Sequence, residues 1–346
     1  MNELTGLLDE FFIAEMSGKE KSESFLTLVD IYKTKNAEAK YKSTASKLKR
    51  LFETNEKNTA QNHYHKYKFH DIQLTHTARK IIRKYDPQMQ EVTDELDAFY
   101  LAEKFKYSFE QISRNNIINA GYETHGINEL ERWVERTFDR QPVLVRFYFL
   151  MYKMIKSPEE QEHLGAASSF MISRQNAIAK EDLMYGYNSL LNFCIRRMNG
   201  GDNSFARHYI EISQQQIKSG MLLEDGTLTP GRYKNIVAAG LRIQKQEWTL
   251  NFIEEFKQYI PTDSRQNAYT FCLASWHFEC GNHEKTHELL IGIELEDTLQ
   301  TTSYKNLFLR TLYATDNELL TSFADAYLVF LNRKSDLTAV KRKPMV

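Results

Sequence analysis

Along most of this chain apolar residues return every three or four positions, the spacing of one face of an α-helix. Tyr41, Ala45, Leu48 and Phe52 make one stripe. Tyr67, Leu74, Ala78, Ile81 and Tyr85 make another, with lysines and arginines mostly on the opposite faces. The pattern continues from Val92 to Ile117 as one or two helices, and residues 121–142 read as a short helix with flanking loops. The run "VLVRFYFLMYKMI", Val143 to Ile155, is too short to span a bilayer and contains Arg146 and Lys153, so it predicts a buried helix.

Six prolines and fourteen glycines are few for 346 residues, whereas strands joined by tight turns need many more of both. The expectation is an all-α protein. Its prolines stand where helices begin. Ser157-Pro158-Glu159-Glu160 reads as N-cap, first-turn proline and capping-box glutamate; Asp86-Pro87 and Thr229-Pro230 read as cap plus proline, and Pro261 follows an apolar run. Two stretches that concentrate glycine, Asn199 to Ser204 and Gly220 to Gly231, separate helical runs. "NGGDNS" lacks the Gly-Lys-Ser/Thr continuation of a phosphate loop.

The C-terminal half repeats. Tyr233 to Pro261, Ala268 to Leu295 and Tyr304 to Leu331 each read as two striped helices joined by a few polar residues, at a spacing of roughly 35 residues. In the middle unit, "LASWHFECGNHEKTHELLIGI", Leu273 and small Ala274 are followed by Trp276, Phe278, the turn glycine Gly281, then Leu290 and Ile293. This resembles a degenerate tetratricopeptide repeat, with Thr286 where that family has alanine, His277 where it has an aromatic, and no closing proline. The flanking units lack the turn glycine. The resemblance implies stacked helical hairpins forming an α-solenoid, since one pair cannot bury its apolar face alone. It also implies a groove lined by first helices, to which Phe271, Ser275, Phe278, Asn306, Arg310 and Tyr313 would contribute. The domains expected are a helical region over 1–156, repeats over 157–335 and a basic tail over 336–346.

Composition adds a soluble, core-forming balance of 42% hydrophobic and 26% charged residues. The net charge of -1 hides an asymmetry: residues 31–84 hold 14 Lys or Arg against 4 Asp or Glu, leaving an acidic remainder. Within that basic segment Lys47, Lys49, Arg50, Lys66, Lys68, Arg79, Lys80, Arg83 and Lys84 form a candidate surface for nucleic acid or an acidic protein. "NHYHKYKFHDIQLTH" interleaves histidine, lysine and aromatics, as a base-stacking surface does. The alternative is a solvated helix whose Tyr67 and Leu74 point into the core. His63 and His70 share one side of that helix, and His65 and His76 another, which counts against a metal cluster. The three cysteines, Cys194, Cys272 and Cys280, form no disulfide framework. With an acidic N-terminus that lacks a signal-peptide pattern, they favour the cytoplasm and no membrane partner.

One segment tests for catalysis. His283-Glu284-Lys285-Thr286-His287 has the spacing of a zinc-protease helix, two ligands one turn apart with a glutamate general base. Leu290 and Ile293 occupy the places where a metzincin continues with glycine and histidine. Glu294 would lie roughly 10 Å beyond His287 along the helix, too far to share an ion. A second E-x-x-H pattern, Glu160 to His163, makes with Glu284 to His287 a weak di-iron signature. No nucleotide or hydrolase fingerprint is present, and no cofactor is called for. The leading expectation is a non-catalytic protein-interaction scaffold; nucleic-acid binding is the alternative, and a zinc hydrolase the third.

Overall fold

The computed structural model describes residues 21–54, 59–77, 85–293 and 298–333. Among these the regular elements are all helices, with an isolated bridge between Glu224 and Thr227. It divides into two compact units, Met1–Gly186 and Tyr187–Val346, later than the 156/157 boundary the sequence suggested. The reason is local. Pro158 lies in a turn, closed by the Glu160 amide donating to the Ser157 carbonyl, and the helix after it packs back on the helix before it. Ser157 is therefore no N-cap: that position falls to Glu160, and the helix begins at Gln161.

The first unit opens with α1 (Lys21–Thr34) and α2 (Glu38–Thr54), whose facing residues Leu28, Val29, Tyr32, Tyr41, Ala45 and Leu48 form a small core with Phe69 and Ile72 of α3 (Ala60–Thr77). α3 also packs along α4 (Pro87–Ile118), a single 32-residue helix. Asp86 caps it by accepting from the Gln88 amide at 3.0 Å, with Pro87 in the first turn as expected. Short α5 (Ile127–Thr137) precedes α6 (Val143–Lys156), which is buried along most of its length and packs against α4 and α7 (Gln161–Ser173). The polar residues of α6 are accommodated individually. Arg146 lies over the rings of Phe138 and Phe170, while Lys153 and Lys156 both pair with the buried Glu131.

The division falls within α8 (Lys180–Asn199). The second unit continues through α9 (Phe205–Lys218) and three helix pairs: α10 (Pro230–Arg242) with α11 (Gln246–Phe256), α12 (Thr262–Glu279) with α13 (His283–Ile291), and α14 (Thr298–Ala314) with α15 (Leu320–Arg333). First helices are neighbours as well, α10 against α12 and α12 against α14. Side chains tie the helices together: Tyr233 donates to the Ile253 carbonyl at 2.8 Å, Trp276 Nε1 to the Gln246 carbonyl at 2.9 Å and Tyr327 to Asn306 Oδ1 at 2.9 Å.

The three pairs share one turn. In each, a residue in the left-handed region follows the first helix: Gln244 at φ 58°, Gly281 at φ 79° and Asp316 at φ 49°. Each donates to the carbonyl three residues back, and the next residue donates five back, as Lys245 to Gly240, Asn282 to His277 and Asn317 to Leu312. This double closure satisfies carbonyls that a helix end leaves open. The same closure at Gly201 joins α8 to α9. Glutamine and aspartate thus adopt a conformation that glycine takes without strain, at a cost on the order of 1 kcal/mol.

Candidate functional site

Three places carry the residues that the sequence singled out. The first is the exposed side of α12 and α14. Phe271, Ser275 and Phe278 follow one line on α12, and Asn306, Arg310 and Tyr313 follow one on α14. The Arg310 guanidinium sits 4.3 Å from the centroid of the Phe278 ring and donates to Glu279 Oε1 at 3.1 Å. Tyr313, one turn further on, is well exposed. Phe271 and Phe278 are half-buried against the core of Ala274, Leu290 and Leu307. Ser275 donates back to the Phe271 carbonyl at 2.8 Å, and Asn306 accepts from Tyr327 of α15. Phe278 and Arg310 are therefore brought together with Tyr313 beside them, while Ser275 and Asn306 have partners within the fold. Lys234 of α10, which sequence reasoning missed, has its ammonium 5.6 Å from the Phe271 ring centroid. Only the neighbouring of first helices brings this cation to the ring, so no local motif announces it.

The second place is the HEKTH segment. It opens α13, with Asn282 as N-cap accepting from the Lys285 amide at 3.1 Å. Its histidines contact rings on two different helices: His283 lies 4.8 Å from the ring of Phe278 and His287 stacks at 5.3 Å on Phe308. Thr286 is buried, its hydroxyl donating to the Asn282 carbonyl at 2.9 Å and lying 3.3 Å from that of Ala274. Among the described residues no group of three His, Cys, Asp or Glu is placed to hold a metal ion. In the other E-x-x-H stretch, Glu160 pairs with His163 at 2.9 Å as neighbours on one helix start.

The third is the basic segment, where α3 corrects the expected stripe. Its buried residues are Asn62, His63, His65, Phe69 and Ile72, whereas Tyr67 and Leu74 are half-buried, Tyr85 is exposed, and Ala78 and Ile81 lie outside the described residues. The physical reason is that α3 has neighbours on two sides, which a one-face reading does not allow. Toward α1, His65 Nδ1 lies 2.9 Å from Ser22 Oγ. Toward α2, His76 stacks on Tyr41 at 4.3 Å and lies 3.3 Å from Glu38. Toward α4, His63 Nδ1 lies 2.5 Å from Glu95 Oε2, Lys66 3.8 Å from the same carboxylate and His70 2.9 Å from Glu91. Lys66 is thus paired within the unit, and Lys68 lies over Tyr67. Lys47, Lys49 and Arg50 remain exposed on α2, and Arg79, Lys80, Arg83 and Lys84 lie outside the described residues.

The α3–α4 seam makes stability depend on pH. Burial acts to raise the Glu95 carboxyl, but the hydrogen bond from His63 and the charges of His63, Lys66 and His70 outweigh it, leaving it below the usual carboxylate range. Burial, with the nearby charges of Lys66 and Lys49, lowers the His70 imidazole against the opposing pull of Glu91 and Glu95. A depressed carboxylate contributes stability above its unfolded value and loses it as pH falls through the folded one; a depressed imidazole is stable neutral and resists protonation below about pH 6.5. Both therefore weaken the seam on acidification. Thermal unfolding is expected to move to lower temperature between about pH 7 and pH 4. Glu95→Gln is expected to cost about 1–3 kcal/mol at neutral pH and to flatten that acid limb; an unchanged limb would show that the seam is not its source.

Among the described residues no helix is long and apolar enough to cross a membrane. Comparison of the chain with protein-family models, with curated proteins and with solved structures finds no match in any of the three.

Proposed function

We propose that this protein is a non-catalytic interaction scaffold whose second unit is a degenerate tetratricopeptide-like stack. The observation that carries the reading is that three successive helix pairs, closed at Gln244, Gly281 and Asp316, set their first helices side by side, α10 against α12 and α12 against α14. The neighbouring first helices of these pairs would then share one face. On that face Arg310, Phe278 and Tyr313 combine a guanidinium with aromatic surface, the residue types that concentrate binding energy at interfaces. The exposed Glu279 partner of Arg310 is readily exchanged, since such pairs are worth only about 0–1 kcal/mol. The fitting partner is a protein or peptide segment that offers a carboxylate to Arg310 and an apolar side chain to Phe278 and Tyr313.

The test is affinity capture of the tagged chain from its native lysate, with and without nuclease, beside the double variant Arg310→Ala/Tyr313→Ala. A stoichiometric protein that survives nuclease and is lost at least ~10-fold in the variant is the expected result. Capture by a variant that keeps the wild-type circular dichroism and melting temperature would refute the groove. Partners lost on nuclease treatment would favour the alternative, nucleic-acid binding through the exposed Lys47, Lys49 and Arg50.

A further inference from the structure

Two cations stand over rings of α12. Arg310 of α14 lies 4.3 Å from the Phe278 centroid, with the exposed Glu279 as its ion partner. Lys234 of α10 lies 5.6 Å from the Phe271 centroid, and among the described residues its ammonium has that ring and no carboxylate. An aromatic face attracts a cation without cancelling its charge, so both remain able to bind an anion. Between the two rings stands Ser275, a short side chain whose hydroxyl is turned back to the Phe271 carbonyl at 2.8 Å. The line along α12 therefore reads cation, small residue, cation.

Spacing and charge together select the occupant. Phe271, Ser275 and Phe278 follow at steps of four and three residues, which sets the two rings roughly 10.5 Å apart along α12 and within about 20° of one line. In an extended segment, side chains on one side recur at about 6.6 or 13 Å, and neither distance fits. In a helix, residues i and i+7 recur at about 10.5 Å on one side. Residue i+3 or i+4 then falls opposite Ser275, whose short side chain leaves room for an apolar one. Neither cation has a buried counter-charge, so the matching groups at i and i+7 are carboxylates.

We infer that the partner segment is an acidic amphipathic helix, with carboxylates two turns apart held by Lys234 and Arg310 and an apolar side chain between them; this rests on the groove reading given above. The probe is a phage-displayed library of random peptides of about 18 residues, long enough to form a helix, panned on the full chain. Binders are expected to carry Asp or Glu seven residues apart around an apolar residue. For a synthetic copy of the strongest binder, Lys234→Gln and Arg310→Gln are each expected to weaken binding at least ~10-fold, while Lys234→Arg, which keeps the charge, stays within about threefold. Moving one acid of the peptide by two positions, at unchanged composition, is expected to cost as much as Lys234→Gln. Acids at no preferred spacing, acids at every second residue, or wild-type binding by a Lys234→Gln protein of unchanged circular dichroism overturns the inference. So does an oligothymidine that binds more tightly than any selected peptide and is lost in the same variants, which assigns the cations to phosphates. Lysate capture that ignores Lys234→Gln but is lost in Arg310→Ala/Tyr313→Ala removes the acidic helix and leaves the groove; capture indifferent to both removes the groove itself.

Discussion

Replacement of Phe105 by alanine is expected to remove about 3–5 kcal/mol from the stability of the N-terminal unit. Phe105 is fully buried at the middle of α4, where its ring meets Phe149 edge-on at 5.2 Å and Tyr152 at 5.3 Å. The loss has two parts: the transfer free energy of the ring, and the contacts that Phe149 and Tyr152 forfeit across the cavity left behind. Relaxation is limited because both rings stand on α6. There Tyr152 donates to Glu131 Oε2 at 3.2 Å, and the carboxylate also holds Lys153 and Lys156. Set against the ~5–15 kcal/mol of an ordinary domain, a loss of this size leaves a marginal unit. Urea denaturation followed by circular dichroism measures it, with Phe105→Leu expected to lose less than half as much. A Phe105→Ala midpoint within error of wild type would mean that α4 and α6 are not held together as described.

Gly240→Ala is expected to cost about 1–3 kcal/mol or more, a large penalty for a change that ordinarily stabilises a helix. Gly240 lies within α10, where its hydrogen faces Thr249 of α11. A Cβ built there would stand 2.3 Å from Thr249 Oγ1 and 3.4 Å from its Cβ, with Trp248 at the same 3.4 Å. The clash is therefore with one oxygen, and that oxygen is buried without a hydrogen-bond partner. Removing it should relieve the strain at little loss of polar contact. The double variant Gly240→Ala/Thr249→Ala is expected to recover most of the stability lost by Gly240→Ala, a coupling read directly from a double-mutant cycle in thermal denaturation. Strict additivity would contradict the close approach of α10 and α11. Thr286 occupies the equivalent place after the turn of the next pair, but its hydroxyl is satisfied by Asn282, so removal there is expected to be the costlier of the two.

These cases show where reading the chain succeeded and where it stopped. Asp86 and Thr229 cap helices because their side chains reach an amide two or three residues on, a contact within a single turn. The same local form at Ser157-Pro158 did not make a cap, because whether it starts a helix depends on where the preceding one ends. The two helices of each C-terminal pair were legible from helix spacing, yet the flanking pairs looked imperfect for want of a turn glycine. The backbone closures show Gln244 and Asp316 in the conformation of Gly281, a tolerance that residue identity does not reveal.

The candidate groove was legible only in part. Periodicity aligned Phe271 with Phe278 and Arg310 with Tyr313, but it carried no information on Lys234, whose approach to Phe271 depends on which first helices are neighbours. For HEKTH, spacing put both histidines on one side of a helix, and packing decided what they meet: Phe278 on one neighbour and Phe308 on the other.

By itself, then, the sequence determined helix type, the helix starts capped by Asp86 and Thr229 and the pairing of helices in the C-terminal half, because those follow from contacts among residues a few positions apart. Tertiary structure alone decided which side of each helix is buried. α3 needs two buried sides because it lies between α4 and the α1–α2 pair, so its histidines divide between them. α4 has two apolar sides and buries one, because the periodicity of a single helix carries no record of the neighbours that arrive from elsewhere in the chain.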